Sequence, residues 1–507
     1  MQETPFYGTD SAGSDVLPAG APPTVPSSFR TVLVLRSRAT QAFGARLLRQ
    51  EKDSLGIREI PDEAYWGAQT SRAVENFPVS GERAHPEVIR AFARIKKACA
   101  ETNLEMGRLP AEKVRAIVQA CDEVLAGRHA DQFVVDVYQA GAGTSFHMKV
   151  NEVIAGRAAE LVGSSRGDRK AINPNDDVNL GQSTNDTFPT ALHMAAISVG
   201  RVLVSEVEKL AASFQRKGRE FDAIVKSGRT HLMDAVPVTL GQEFRAFASA
   251  ATHRQEGLTA ALDGLRELAL GGTATGTGIN TPAGFREKAI EKLAGLAREP
   301  FVPATDAREG LQSRAAAGDY SAALRSLAVE LGRIANDLRL LASGPATGLD
   351  EVRLPPVQPG SSIMPGKVNP SLLEGLNMLC FQIVGFDTAN LLAVGAGQLD
   401  LNVMMPLLAY NLTKGPQLLI NFLPVVRQLC IDGITANVDK CRRYLEESPS
   451  VVTALTPKIG YATAAEVFKE AVARGVLVRQ VLLEKKILTE EELAAAMTKE
   501  ALLGPLE

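Results

Sequence analysis

Between residues 190 and 236 the apolar positions recur at helical spacing. Leu192, Ala195, Ala196, Val199, Val202, Leu203, Val207 and Leu210 form a stripe with a period of about 3.5 residues, and no proline interrupts the run. Further proline-free runs span 238–281, 319–343 and 371–405. Together they predict four or five long amphipathic helices in the middle of the chain. Such helices bury their stripes against one another, so the central element reads as a helix bundle over 183–437 whose loops carry the chemistry. Upstream, 49–182 mixes short helices with loops punctuated by Gly and Pro. Downstream, 438–507 has a shorter rhythm that predicts a small helical domain, and Thr489 three residues before Glu492 marks a helix start there.

Composition narrows the function classes. The 507 residues hold 55 Lys+Arg against 58 Asp+Glu, a net charge of −3 that argues against a nucleic-acid partner. No run of about 18 uncharged apolar residues occurs, which reads as no membrane span. Aromatics are only 5%, as suits packed helices better than a β-sandwich. Cys99, Cys121, Cys380, Cys430 and Cys441 are odd in number and far apart, and no H-E-x-x-H or C-x-x-C pair occurs. Neither a metal site nor a disulfide framework is expected, and the thiols read as buried and reduced. Residues 1–48 differ from the rest. Five Arg and no acid lie between Val16 and Arg49, resembling a transit peptide, but Glu3, Asp10 and Asp15 precede them. The segment reads as a disordered leader, and the expected compartment is the cytoplasm.

Four polar stretches are richer in hydrogen-bonding groups than connectors need: GAGTS at 141–145, NPNDDVN at 173–179 running into QSTND at 182–186, SGRTHL at 227–232, and GSSIMPGKVNP at 360–370. Their hydroxyls and amides, with one Lys and one His, suit a small dicarboxylate, each carboxylate of which needs several donors. Each stretch has a plainer reading. Ser183, Thr184 and Asn185 equally fit the cap of a helix starting near Phe188, and His231 fits a structural histidine. The 360–370 stretch fits a turn-rich crossover, although its flanking glycines and paired serines suit a mobile lid.

The eleven residues at 360–370 resemble the signature of the fumarase/aspartase superfamily, and the other three stretches match that family in order over about 49–500. The resemblance implies a mainly α, three-domain subunit whose long helices form a twenty-helix core in a homotetramer, with each active site shared by three subunits. It implies a reaction that removes a proton beside a carboxylate and expels ammonia or water from the next carbon, and no cofactor is expected. By resemblance Ser361 is the general base and Ser362, Thr144, Ser183 and Thr184 hold the carboxylate that becomes the aci form. Lys367 and Asn369 bind the other carboxylate. Asn185, Thr230 and His231 surround the leaving group, and Glu374 pairs with His231.

Ala142, Ser145 and Asn173, with the GQLDLNVM tract at 397–404, resemble the aspartase branch, which releases ammonia from L-aspartate. Thr230-His231 and Asp176-Asp177 resemble the class II fumarase branch equally, leaving L-malate dehydration as the alternative. An inactive homologue kept as a scaffold is the alternative of another class, against which the presence of all the site residues argues. His147 and Lys149 depart from the family, standing where asparagine-type residues follow Thr144. Phe386 and Met405 depart as well. Lys149 reads either as a solvated charge or as one that alters substrate preference.

Overall fold

The computed structural model describes residues 47–504, so the leader read over 1–48 lies, apart from its last two residues, outside the described residues. The chain is mainly helical. The expected long helices are Thr184–Glu220, Leu240–Asp263, Ala315–Leu341, Ser371–Gly395 and Met405–Leu429. The first packs on the second and fifth, the third on the second and fourth, and the fourth on the fifth. The stripe from Leu192 to Leu210 is the buried face of the first helix, with Val202 alone half-exposed.

Helix boundaries differ from expectation where proline was used as the marker. The first helix starts at Thr184, not near Phe188. Ser183 caps it, accepting from the Asn185 N–H at 3.2 Å, while the Ser183 N–H donates to Asp186 at 2.9 Å. Pro189 lies inside it, which leaves the Asn185 carbonyl without its helical donor. The helix ends at Glu220, and the rest of the 190–236 run enters a hairpin of strands Val225–Thr230 and Met233–Thr239. The helix Met405–Leu429 holds Pro416 and Pro424. Burial of Leu408, Leu412, Leu419, Leu423 and Val426 in the bundle offsets the two missing hydrogen bonds.

Apolar content is high in two of the long helices. Thr184–Glu220 and Ser371–Gly395 hold windows of mean hydropathy 1.3 and 1.4, so both are long and apolar enough to cross a membrane by length and composition. A lone acid such as Asp387 interrupts an apolar run without lowering its average much. The first helix is sheathed by the bundle. The second buries Leu373, Leu376, Cys380 and Ile383 but exposes Met378, Phe381, Leu391 and Leu392, each by more than 60%. An apolar stripe of that size calls for a cover.

Short helices from Val438 onward share a second apolar cluster, from Leu445 to Leu502, and Thr489 caps its helix as expected, accepting from the Glu492 N–H at 3.2 Å. All five cysteines are buried and free. Away from the polar stretches, Arg157 grips Glu123 with two hydrogen bonds of 2.8 and 3.0 Å, and His129 adds a third at 2.7 Å. The Arg157 guanidinium, helped by His129, holds the Glu123 carboxyl down at about 2, against 4.5 for a free side chain. A depressed acid stabilises the fold above its unfolded value and loses that contribution as pH falls through its folded one. Glu123 therefore contributes about 3 kcal/mol above about pH 5, lost on acidification toward pH 2. Thermal unfolding between pH 6 and 3 should show a steep loss in the wild type. Glu123→Gln should be less stable at pH 6 but flatter on acidification, and an equally steep variant would assign the loss to other acids.

Candidate active site

The first polar cluster forms where two helix N-termini meet. Ala142 and Gly143 are consecutive left-handed residues, at φ 58° and 84°. A Cβ on Gly143 would lie 2.1 Å from the ring of Phe188, so only glycine lets this turn sit on the first turns of the 184–220 helix. The Ala142 N–H donates to the Val403 carbonyl at 2.7 Å, pinning the turn to the entry of the 405–429 helix. Thr144, exposed, then opens the helix Thr144–Leu161. One turn on, His147 reaches the neighbouring N-terminus and meets the Thr184 hydroxyl at 2.7 Å through Nδ1. Thr144, Ser183, Thr184 and Asn185 thus stand at the N-termini of two helices joined through His147, a setting that favours an anion. Asn185 donates its amide to the Ala274 carbonyl at 2.9 Å.

Behind this cluster lies a buried layer. Lys96, on the helix Pro86–Glu105, is fully buried and bonds to His147 Nε2 at 2.6 Å, Asn179 at 2.8 Å and Gln182 at 2.9 Å. Burial brings its ammonium down to about 7. Burial pushes Asp186 up to about 7, against the backbone N–H groups of Ser183, Thr273 and Gly271 and the charge of Lys96. His147 is held well below its usual range by burial and by Lys96. Lys149 is not solvated. It is fully buried, with Nζ 3.6 Å from the centre of the Phe146 ring and 5.2 Å from that of Phe133, and burial holds its amine well below the lysine range. The 144–161 helix is buried on almost all sides from Phe146 to Ala155, which explains why a lysine there finds no water. Phe386 packs edge-on to Tyr410 and Met405 is fully buried, so both are packing residues.

The 360–370 stretch is a closed loop at the start of the 371–395 helix. The Gly360 N–H donates to the Lys367 carbonyl at 2.7 Å, and the Asn369 side chain donates to the Gly360 carbonyl at 2.7 Å. A Cβ on Gly360 would lie 2.7 Å from both the Lys367 carbonyl oxygen and the Asn369 backbone nitrogen. Inside the loop, Ser361 Oγ accepts from the Ile363 N–H at 3.2 Å and the Met364 N–H at 2.9 Å. Two backbone donors aimed at one hydroxyl oxygen stabilise negative charge on it. Ser362 and Lys367 are exposed on the same loop. Asn369 has a role that the sequence did not suggest, holding the loop shut.

Thr230, His231 and Leu232 sit at the tip of the 225–239 hairpin, not in an irregular loop. Thr230 pairs with Met233, so His231 and Leu232 are a two-residue turn, at φ 58° and 61°. Left-handed backbone at two non-glycine residues is costly and keeps the imidazole exposed at the tip. The hairpin is anchored below by a buried charge cluster: Lys226 pairs with Glu243 and Glu351 at 2.8 Å each, and Arg229 with Glu351 at 2.9 Å. Glu374 does not meet His231 within the chain. It stands in the first turn of the 371–395 helix, 3.9 Å from Arg339. Among the described residues no hydrogen bond joins the Thr144–Asn185 cluster, the Ser361 loop and the His231 tip.

Comparison with known proteins identifies the family. A family model described as "Lyase" matches 56–385, and one described as "Fumarase C C-terminus" matches 451–504. The chain belongs to the fumarase/aspartase superfamily. It is 45% identical to an aspartate ammonia-lyase of Pseudomonas aeruginosa, over 90% of this chain and 97% of that one. It is 44% identical to a class II fumarate hydratase of Ralstonia nicotianae, over 90% and 99%. The crystal structure of a fumarate lyase:delta crystallin from Brucella melitensis matches with a TM-score of 0.86 at 46% identity, covering 90% of this chain and 99% of that one. The superfamily's relatives are lyases of both kinds, and this chain is a lyase whose leaving group the comparisons do not separate. Sequence reasoning missed Lys96, although a signal exists: it shares a helix face with Phe92, Ile95 and Cys99, all buried, where a lysine must have partners.

Proposed function

We propose that the chain is an aspartate ammonia-lyase, acting as a homotetramer in which three subunits contribute to each site. The observation that carries the reading is Ser361 Oγ under the Ile363 and Met364 N–H groups, which supports a serine oxyanion as general base. In the proposed reaction, Ser361 Oγ takes a proton from C3 of L-aspartate, and the electrons of that C–H bond flow into the adjacent carboxylate. Thr144, Ser183, Thr184 and Ser362 of the assembled site donate to the resulting aci-carboxylate. Lys367 and Asn369 hold the other carboxylate. The electrons then return to form the C2–C3 double bond, the C2–N bond breaks, and ammonia leaves beside Asn185, Thr230 and His231, giving fumarate. Glu374 meets His231 only across subunits in this scheme.

Release of ammonia instead of water is supported by Ala142 and Ser145, and by Asn173. The Asn173 side chain accepts from the Asn175 and Asp176 N–H groups at 2.8 and 3.2 Å, and so acts as a turn cap, not as the histidine-type anion site of the hydratase branch. Purified protein supplied with L-aspartate should form fumarate and ammonia in equal amounts, with no fumarate from L-malate. Fumarate from L-malate alone would make the chain a hydratase and end this reading.

A further inference from the structure

The geometry points to Lys96 and His147 as a buried proton switch that decides whether the Thr184 hydroxyl donates to the substrate carboxylate or turns away from it. This rests on the proposed reading of Thr184 as a carboxylate ligand. Hydrogen-bond accounting around Lys96 Nζ carries the inference. The Asn179 amide nitrogen donates to the Gln182 carbonyl at 3.2 Å, and the Gln182 amide nitrogen to the Val178 carbonyl at 3.2 Å. Both side-chain oxygens therefore face Lys96, and each takes one of its protons. An ammonium has a third proton, and the remaining partner is His147 Nε2 at 2.6 Å. That nitrogen must accept, so the ring proton sits on Nδ1 and is donated to Thr184 Oγ at 2.7 Å. Thr184 Oγ has no other hydrogen-bond partner among the described residues, and its own proton is left free to point into the site.

Loss of the third proton reverses the chain. A neutral amine keeps two N–H groups for Asn179 and Gln182 and turns its lone pair to His147. The ring proton moves to Nε2, Nδ1 becomes an acceptor, and the Thr184 hydroxyl donates backward to it. Thr187 does not compete: its Oγ lies 3.4 Å from Nε2, but its proton goes to the Ser183 carbonyl at 2.7 Å. The other titratable groups facing Lys96 are Cys99, Cys121 and Asp186. Burial pushes both thiols up, Cys99 to about 12, so they stay neutral. Asp186, itself pushed up to about 7, is the one nearby acid whose charge favours the ammonium once it ionises, so the two groups titrate as a pair. Phe92 stacks on the His147 ring with 5.6 Å between centres and supplies no charge. Burial brings the Lys96 ammonium down to about 7. Lys96 and His147 act through Thr184 and are positioning residues.

The test uses the full chain with 15N-labelled histidine. The sequence has six histidines, and the His147 signals are those lost in His147→Gln. At pH 6 the ring should carry its proton on Nδ1, moving to Nε2 by pH 9. In Lys96→Met it should sit on Nε2 throughout. An Nε2 proton at pH 6, or one form at all pH values in the wild type, would overturn the switch; the titration itself is read on the wild type, and the variant serves only to assign its signals. In kinetics, KM for the dicarboxylate substrate should rise about tenfold across the same interval. Lys96→Met should show the high KM at both ends with kcat within about threefold of wild type at pH 9, a split that a merely structural lysine would not give. If the ring titrates as described while Thr184→Val leaves KM unchanged, the reading of Thr184 as a substrate ligand fails and the switch itself stands.

Discussion

Ser361→Ala is expected to lower turnover by roughly 10²–10⁴-fold, the usual contribution of a positioned general base, while the oligomer and its thermal unfolding stay as in the wild type. The loop does not depend on the hydroxyl for its shape. Its base is closed by the Gly360–Lys367 and Asn369–Gly360 hydrogen bonds, which do not involve Ser361. The two N–H groups that Ser361 Oγ accepts belong to Ile363 and Met364, both exposed, so water replaces the hydroxyl in the variant. The cost in stability should be within about 0.5 kcal/mol. Kinetics and calorimetry on the same preparation check both halves. A variant that turns over at the wild-type rate would remove Ser361 as the base. One that unfolds far earlier would mean that the hydroxyl holds the loop together.

The second large effect concerns the uncovered stripe on the 371–395 helix. Phe381 and Leu392 are 67% and 72% exposed in a single chain, and each contributes roughly 1.5–3 kcal/mol when fully buried. In the proposed tetramer such side chains are covered by helices of other copies. Phe381→Glu combined with Leu392→Glu places two charges in that contact on every copy, and an unpaired buried charge costs several kcal/mol. The double variant is expected to leave the tetramer in light scattering and to lose activity in the same step. Each chain should stay helical by circular dichroism, since its inward face of Leu373, Leu376, Cys380 and Ile383 is untouched. A tetrameric and active double variant would show that this face is not the contact. A monomer with full activity would contradict sharing of the site.

The two variants also separate what was legible in the sequence. The bundle was readable because helical period is a local property, and the stripe of Leu192 to Leu210 could bury only one way. Proline was the weak marker. Its cost of about 3 kcal/mol in a helix interior is smaller than what packing supplies, so Pro189, Pro416 and Pro424 lie inside helices. The 225–239 hairpin was hidden because its turn uses His231 and Leu232 where sequence rules look for Asn or Gly. Within the site, the Ser361 loop was legible through its glycines and serines. The buried Lys96 layer was not, because its partners Asn179, Gln182 and His147 arrive from distant parts of the chain. Lys149 looked like a surface charge for the same reason: burial of the 144–161 helix is a tertiary fact.

The central claim is that one chain's Ser361 loop works with another chain's Thr144–Thr184 cluster, and subunit mixing tests it most directly. Ser361→Ala is to be denatured and refolded together with a Thr144→Val/Thr184→Val variant in equal amounts, each inactive alone. If the two parts come from different subunits, random assembly leaves about a quarter of the sites with both parts intact, and the mixture should regain about that share of wild-type fumarate production. A mixture as inactive as its components, with tetramers formed, would place both parts of each site on one chain and contradict the account.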